Sequence, residues 1–106
     1  SLSVEKTFSQ SVLDTTDLKI KIDHLYSELT QRLSKYEKMR VKSIFVKIKY
    51  DDFQNTLVES SVELSRSKIE ELFLKRFKQR VFPVRLIGMG VKFFVQKDSA
   101  QLALPL

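Results

Sequence analysis

Few side chains in this sequence have the types and spacing that catalysis needs. Two acidic pairs, Asp51-Asp52 and Glu70-Glu71, and the single histidine, His24, are the candidates. Two-metal phosphoryl transfer requires clustered carboxylates, whereas Asp51-Asp52 lies in a segment typical of a turn and Glu70-Glu71 in one typical of a helix surface. His24 has no second histidine or cysteine to complete a metal site. The sequence therefore predicts no catalytic residue, no metal site and no cofactor in this chain.

The C-terminal hexapeptide Gln101-Leu102-Ala103-Leu104-Pro105-Leu106 is a candidate for binding another protein. It follows the polar residues 96–100, so its leucines are poorly placed to join a core, although burying each is worth about 1.5–3 kcal/mol. One amide followed by leucines two residues apart suits an extended peptide whose alternate side chains fill pockets on a partner. Pro105 favours such an extended conformation. The alternative is a frayed terminus without a function.

Basic residues are concentrated in two segments of a chain whose formal charge is +6. Residues 32–50 carry seven basic side chains and one acidic one, and residues 75–97 carry seven basic and no acidic ones. Residues 51–74 reverse this balance, with six acidic side chains against two basic ones. Two basic segments indicate a polyanionic partner, although an ordinary solvated surface rich in lysine would carry the same charge.

The length of 106 residues fits one domain with a modest core. Without cysteine, the chain has no disulfide framework, thiolate nucleophile or cysteine-based zinc site. It shows no signal peptide and no apolar run near the ~18–20 residues that a membrane span needs. We therefore expect a soluble intracellular protein with no membrane partner. Because the chain lacks a catalytic constellation, we also expect no small-molecule substrate for it.

Apolar residues at gaps of three and four predict two amphipathic helices. Residues 14–17 supply N-cap candidates for the first helix, of about five turns. The second helix is predicted to start at Ser67, with Glu70 completing a capping box, and to end before Pro83. The apolar stripes are Leu18, Ile22, Leu25, Tyr26, Leu29, Leu33 and Tyr36 in the first helix, and Ile69, Leu72, Phe73 and Phe77 in the second. We expect Leu25 and Phe73 to join the helices to a sheet as core residues.

Period-two alternation predicts four strands, over residues 2–8, 43–50, 55–64 and 84–94. The order is then β-α-β-β-α-β, an α+β fold with a four-stranded, mostly antiparallel sheet. Two helices can cover only one face of such a sheet, so the other must meet solvent or a partner. We place the folded domain at residues 1–94 and a flexible tail carrying the binding peptide at residues 95–106.

The uncovered face of this sheet is predicted to carry small hydroxyls, glycines and scattered cations. Such a surface lets a nucleic-acid backbone come close enough for N–H and O–H donors to reach phosphates. Only one aromatic, Phe45, lies there, which argues against stacking of unpaired RNA bases; a plain solvated face is the remaining alternative. The alternation selects Ser1, Ser3, Thr7, Ser43, Lys47, Lys49, Gly88, Gly90 and Lys92, with Arg85 at the margin. The alternation does not decide which side of the third strand is uncovered. Thr56 and Ser60 are therefore weaker candidates, and Asn55 and Ser61 are weaker still.

Three segments resemble the little-finger domain of the Y-family translesion DNA polymerases. Residues 1–8 resemble its opening Lys-Ser-Val-Gly-x-Glu-Arg-Thr-Phe/Met segment, and residues 46–53 its Val-Lys-Leu-Arg/Lys-Phe-x-Asp-Phe strand and turn. Residues 84–91 resemble its Val-Arg-Leu-Leu-Gly-Val-x-Val strand. The hexapeptide at the C-terminus resembles the sliding-clamp-binding peptide of the bacterial members. Order and spacing agree over essentially the whole chain.

The resemblance implies a domain of a translesion polymerase that holds the primer–template duplex by its backbone and binds the sliding clamp (the β subunit) through its tail. Phosphate contacts then fall on Ser1, Ser3, Thr7, Arg85, Gly88 and Gly90, and clamp contacts on Gln101, Leu102, Leu104, Pro105 and Leu106. Ser3 replaces the usual glycine, and Leu86 and Gly90 stand where some relatives carry arginines.

The family's catalytic carboxylates, with their Mg²⁺, lie in a palm domain that this chain lacks. The resemblance therefore implies an inert piece of a DNA-directed DNA polymerase, working in the bacterial cytoplasm near the nucleoid. The alternative is a stand-alone protein-interaction module whose tail docks a partner and whose sheet faces solvent.

Overall fold

A computed structural model describes residues 1–95, which form one four-stranded sheet and two helices. In chain order, the elements are β1 (Leu2–Val12), α1 (Thr15–Leu33), a 3₁₀ turn (Ser34–Tyr36), β2 (Val41–Tyr50), β3 (Asn55–Ser60), α2 (Arg66–Gln79) and β4 (Val84–Phe93). The strands lie in the order β1-β4-β2-β3, and all three pairings are antiparallel. The predicted element order and the α+β fold class are confirmed. Within residues 1–95, no helix is long and apolar enough to cross a membrane.

The hydrophobic core lies between the two helices and one face of the sheet. Leu25 and Phe73 are both buried there, as predicted. Tyr36 departs from the prediction, because it lies in the 3₁₀ turn, is 43% exposed and stacks on Phe93 with 5.8 Å between ring centroids. The core of the helix layer consists of Leu18, Ile22, Leu25, Leu29, Ile69, Phe73 and Phe77, and that of the sheet includes Val4, Ile44, Val46, Ile48, Val84, Ile87, Met89 and Val91.

The two helices begin with different caps. Asp14 caps α1 by accepting a hydrogen bond from the Thr16 backbone N–H at 3.1 Å. The predicted start of α2 at Ser67 is wrong. The Ser65 hydroxyl is the cap, since it accepts from the Lys68 N–H at 3.1 Å, and the helix begins at Arg66. Ser65 has the extended backbone that an N-cap needs.

Glu70 consequently takes no part in a capping box. It instead lies 3.4 Å from Arg66 Nη2, and the same guanidinium donates to Asp23 of α1. This arrangement ties the first turn of α2 to α1.

Two strand boundaries differ from the prediction. β1 continues to Val12, because it pairs with β4 through Thr7 and again at Val12, with a register shift between them. β3 ends at Ser60, four residues early. Residues 96–106, which include most of the predicted tail, lie outside the described residues, so the predicted domain boundary stays a prediction.

The register of β3 decides which of its sides is uncovered. Val58 lies opposite Val46 and packs against the core, and Thr56 and Ser60 lie opposite Ile48 and Ile44 on the same side. The prediction that Thr56 and Ser60 are the more exposed candidates on this strand is therefore wrong. Asn55, Leu57 and Glu59 face away from the helices instead.

Candidate nucleic-acid interface

We call the sheet surface opposite the helices the open face. Cross-strand partners in an antiparallel sheet share a face, so the register assigns its members directly. It consists of Ser3, Glu5 and Thr7 on β1, Leu86, Gly88, Gly90 and Lys92 on β4, Ser43, Phe45, Lys47 and Lys49 on β2, and Asn55, Leu57 and Glu59 on β3. The face therefore gathers the predicted lysines, but it also carries two glutamates.

Gly88 lies at the centre of one cross-strand row. Glu5 on β1 and Lys47 on β2 are its two partners, and a Cβ added to Gly88 would lie 3.4 Å from the Glu5 Cβ and 3.5 Å from the Lys47 Cβ. Because Gly88 has no side chain, its neighbours meet above it, with Glu5 Oε2 3.8 Å from Lys47 Nζ. An ion pair thus spans the place where sequence analysis expected room for a phosphate.

Gly90 occupies the next row and is packed more tightly. A Cβ added there would overlap Phe45 Cζ, and it would lie 2.6 Å from the Leu2 carbonyl oxygen and 2.8 Å from the Ser3 Cβ. The Phe45 ring therefore covers Gly90, which is buried. Since β4 has a partner strand on each side, its backbone N–H groups are used in the sheet ladders. The two glycines supply close cross-strand packing, and their contact with phosphate stays a prediction.

Lys92 is held by a carboxylate that reaches across the sheet. Its Nζ donates to Glu59 Oε1 at 2.7 Å, and the Ser43 hydroxyl donates to Glu59 Oε2 at 2.8 Å. The hydrogen bond from Lys92 and then that from Ser43 lower the pKa of Glu59 below its ordinary value. Ser43, predicted to be an uncovered contact, is fully buried and serves to orient Glu59.

Lys49 and Arg85 converge on one corner of the sheet. Phe53, in the turn between β2 and β3, is 61% exposed and has a φ of 68°. The Lys49 Nζ lies 5.5 Å and the Arg85 Cζ 4.9 Å from the centroid of its ring. The pairing of β2 with β4 shifts between Lys49 and Tyr50, which leaves Arg85 without a direct partner on β2 and lets it reach the turn. Cation–π contacts therefore place both charges at this corner.

The acidic pair Asp51-Asp52 has the structural role that the sequence predicts. Asp52 accepts from the Gln54 backbone N–H at 3.2 Å and pairs with Arg80, while Asp51 accepts from the Ser11 hydroxyl at 2.7 Å. The hydrogen bond from Arg80 lowers the pKa of Asp52. Both carboxylates fix the turn that presents Phe53, and the interpretation as turn chemistry is confirmed.

The hydroxyl candidates lie at one margin of the open face. Ser1 precedes β1, and Ser3 and Thr7 lie along that outer strand; all three are exposed. They are therefore accessible, and their contact with phosphate stays a prediction.

The feature that sequence reasoning missed is the acid beside each of two lysines. Alternation did place Glu5 on the outer side of its strand, but Glu59 required the register of β3.

His24 lies by a groove with Lys6, Phe8, Lys21, Leu25 and Glu28, and no group of three or more potential metal ligands occurs within residues 1–95.

Residues 1–104 match the family model described as the impB/mucB/samB family C-terminal domain. The chain belongs to this family. It is 30% identical to DNA polymerase IV of Legionella pneumophila (strain Corby), over 100% of this chain and 30% of that protein. It is 32% identical to DNA polymerase IV of Marinomonas sp. (strain MWYL1), over 99% of this chain and 30% of that protein. The chain thus spans about 30% of the length of these relatives.

The fold is shared with solved structures. A complex of the β-clamp processivity factor and the little finger domain of PolIV matches with a TM-score of 0.84 and 30% identity, over 98% of this chain and 97% of that one. An insertion ternary complex of Dbh DNA polymerase matches with a TM-score of 0.63 at 14% identity, over 88% of this chain and 28% of that one, which shows a common fold alone. The resemblance to a Y-family little finger of the DNA polymerase IV type is confirmed.

Proposed function

We propose that this chain grips the primer–template duplex and tethers a DNA polymerase IV-like translesion enzyme to the sliding clamp. The observation that carries the proposal is the match, over nearly the full length of both chains, to a PolIV little finger solved with the β-clamp. The whole protein would be a DNA-directed DNA polymerase, with its Mg²⁺-binding carboxylates outside this chain. It would work in the bacterial cytoplasm, at the nucleoid.

The open face supports contact with a duplex backbone. Lys47, Lys49, Arg85 and Lys92 lie on or beside a sheet surface that no helix covers, with the hydroxyls of Ser3, Thr7 and the neighbouring Ser1 at its margin. Lysine, arginine and hydroxyl groups are the usual partners of phosphate oxygens. The face carries no array of aromatic platforms for unpaired bases, because the Phe45 ring lies over Gly90. We therefore expect binding to duplex DNA with little sequence preference.

Salt dependence of duplex binding tests this part of the proposal. If all four cations contact phosphates, a plot of log K against log salt concentration should have a slope of about −3.6. Lys49 and Arg85 have no acid partner within residues 1–95. If only these two contact phosphates, the slope should be about −1.8. We expect a slope between these values. Lys49→Gln or Arg85→Gln should weaken binding to all sequences alike and flatten the slope by about one unit.

Lys68→Gln is the matched control, because Lys68 lies on α2 and pairs with Glu71 at 3.6 Å. It removes one positive charge from the covered side of the sheet and should leave the slope unchanged. A slope near zero for the unsubstituted chain, or strong discrimination between duplex sequences, would contradict duplex gripping.

Clamp binding is proposed for residues 101–106, which lie outside the described residues. Gln101 would anchor through its side-chain amide, and Leu104 and Leu106 would share an apolar pocket. Leu102 would contribute less, and Pro105 would favour the extended conformation. Two buried leucines supply roughly 3–6 kcal/mol, part of which is lost in ordering the peptide, so we expect an affinity near micromolar.

Calorimetry with purified β-clamp tests the tail. Deleting residues 101–106 should abolish binding to the clamp and leave duplex binding intact. If Leu104→Ala combined with Leu106→Ala left the clamp affinity unchanged, the tail would not be the tether. Clamp binding without any duplex binding would instead support the second candidate function, a stand-alone module that docks a partner through its tail.

A further inference from the structure

Two glutamates on the open face each hold a lysine that would otherwise be available to DNA. Glu59 reaches from β3 across β2 to Lys92 on β4, at 2.7 Å. Glu5 reaches from the opposite outer strand, β1, across Gly88 of β4 to Lys47 on β2, at 3.8 Å. The two ion pairs therefore enter the face from its two edges and cover its centre.

The Glu59 carboxylate is anchored rather than loosely placed. Ser43, which is fully buried, donates to one of its oxygens at 2.8 Å, and Lys92 donates to the other at 2.7 Å. A buried hydroxyl aimed at this carboxylate fixes its position on the face. The lowered pKa of Glu59 is consistent with a carboxylate that is ionised at neutral pH.

Both ion pairs remain accessible to a ligand that approaches the sheet. The exposed fractions of the side chains are 51% for Lys92 and 39% for Glu59, and 39% for Lys47 and 59% for Glu5. An incoming phosphate can therefore reach each lysine, but it meets a fixed negative charge beside it. The phosphate and the carboxylate, both negative and both next to the same lysine, repel each other even in a medium of high dielectric constant.

We propose that Glu5 and Glu59 are competitors of DNA phosphate that are built into the open face and keep its grip on duplex DNA weak. This inference rests on the proposed duplex binding. In the free domain, each carboxylate occupies a lysine; on binding, a phosphodiester must displace the carboxylate or bind next to it. Either way, the net number of counterions released from the duplex is smaller than the number of lysines suggests.

Charge-neutral substitutions test the proposal by fluorescence anisotropy with a short duplex at about 0.1 M salt, where the Debye length is near 10 Å. Glu5→Gln and Glu59→Gln should each tighten duplex binding about threefold to tenfold, and the double variant should combine the gains. Each substitution should also make the salt slope steeper by up to about one unit. The control is Glu71→Gln, which removes the same charge from α2, where Glu71 pairs with Lys68 at 3.6 Å; its affinity should stay that of the unsubstituted chain.

A second readout separates competition from a general change of charge. If Glu59 already neutralises Lys92, Lys92→Gln should cost little duplex affinity in the unsubstituted chain and clearly more in the Glu59→Gln background. Glu5→Gln, at the other edge of the sheet, provides an independent variant should Glu59→Gln unfold, and thermal melts of all variants detect unfolding.

The outcomes distinguish this inference from the function on which it rests. If the unsubstituted chain binds duplex DNA and the Glu5 and Glu59 variants bind no more tightly than Glu71→Gln, the competitor role is overturned and duplex gripping stands. If no variant binds duplex DNA, both fail. Tighter binding by the two open-face variants alone supports the proposal.

Discussion

Gly88 and Gly90 make a matched pair for testing how tightly the open face is packed. Both are buried residues of β4, two positions apart on the same face. A Cβ on Gly90 would overlap the tip of the Phe45 ring and lie 2.6 Å from the Leu2 carbonyl oxygen and 2.8 Å from the Ser3 Cβ. The ring can rotate away, but the carbonyl belongs to the backbone of β1. Gly90→Ala therefore forces the outer strand to move.

The two substitutions should change the free energy of unfolding by different amounts. Overpacking costs about 1–3 kcal/mol, and replacing a strand glycine with alanine returns roughly 0.5–1 kcal/mol, so Gly90→Ala should lose about 1–2 kcal/mol. At Gly88, the nearest atoms would lie 3.4–3.5 Å from the new Cβ, which is ordinary contact. Gly88→Ala should therefore be neutral or gain up to about 1 kcal/mol.

Urea unfolding of the 106-residue chain, followed by circular dichroism, measures both free energies. Adding Phe45→Ala to Gly90→Ala should recover only part of the loss, because the Leu2 carbonyl oxygen remains in place. Equal effects of the two glycine substitutions would refute the close approach of β1 and Phe45 to Gly90. A gain in stability for Gly90→Ala would do so as well.

Three further predictions concern the core and the β2–β3 turn. Phe73→Ala should cost about 3–5 kcal/mol in urea unfolding, out of the 5–15 kcal/mol typical of a domain; a change below ~1 kcal/mol would contradict the packing of α2. Tyr50→Phe should leave stability unchanged or raise it by up to about 1 kcal/mol, because the buried hydroxyl has no hydrogen-bond partner within residues 1–95; a clear loss would reveal a partner. The hydrogen bond from Arg80 lowers the pKa of Asp52 in the folded state below its ordinary value of 3.8. The ionised carboxylate therefore stabilises the fold at pH values above 3.8, and this contribution is lost as the pH falls through the folded pKa. Asp52→Asn should thus lower the melting temperature at pH 7 and lose this effect in acid; an equal effect at both pH values would contradict it.

The sequence predicts the two inner strands well for a physical reason. In β2 and β4, every second residue faces the helices and is apolar, so Ile44, Val46 and Ile48, for example, mark one side without ambiguity. In β3, two apolar residues, Leu57 and Val58, are adjacent, and the pattern cannot choose between them. Pairing with Val46 buries Val58 and leaves Leu57 61% exposed. Tertiary register therefore decides what local alternation leaves open.

The helix start and the end of β1 illustrate a second limit. Ser65 and Ser67 both have N-cap chemistry, and only the extended backbone at Ser65 separates them. The last four residues of β1, Ser9–Val12, are mostly polar and pair irregularly with β4. Within these four residues only Val12 pairs with β4. Three polar residues in a row show no alternation of apolar and polar side chains that would predict a strand.

The candidate site was predictable as a set of cations but not as a charge distribution. Lys47, Lys49 and Lys92 follow from alternation alone, whereas their surroundings depend on the strand order β1-β4-β2-β3. That order brings Glu5 opposite Gly88 and Glu59 near Lys92, over long separations in sequence. The same order explains the packing around Gly90, because an inner-strand glycine between long side chains is covered by them, as Phe45 covers Gly90.

A partly neutralised face has a consequence for how the proposed function would work. A weak, sequence-independent grip lets a protein slide along a duplex, but by itself it would also let the protein leave. A tail bound to the clamp would keep the open face at an effective concentration near millimolar, so a weak grip would suffice. The two elements would then depend on each other. On duplex DNA that carries the clamp, deleting residues 101–106 should weaken association measured by fluorescence anisotropy, and adding Glu5→Gln and Glu59→Gln should restore part of it.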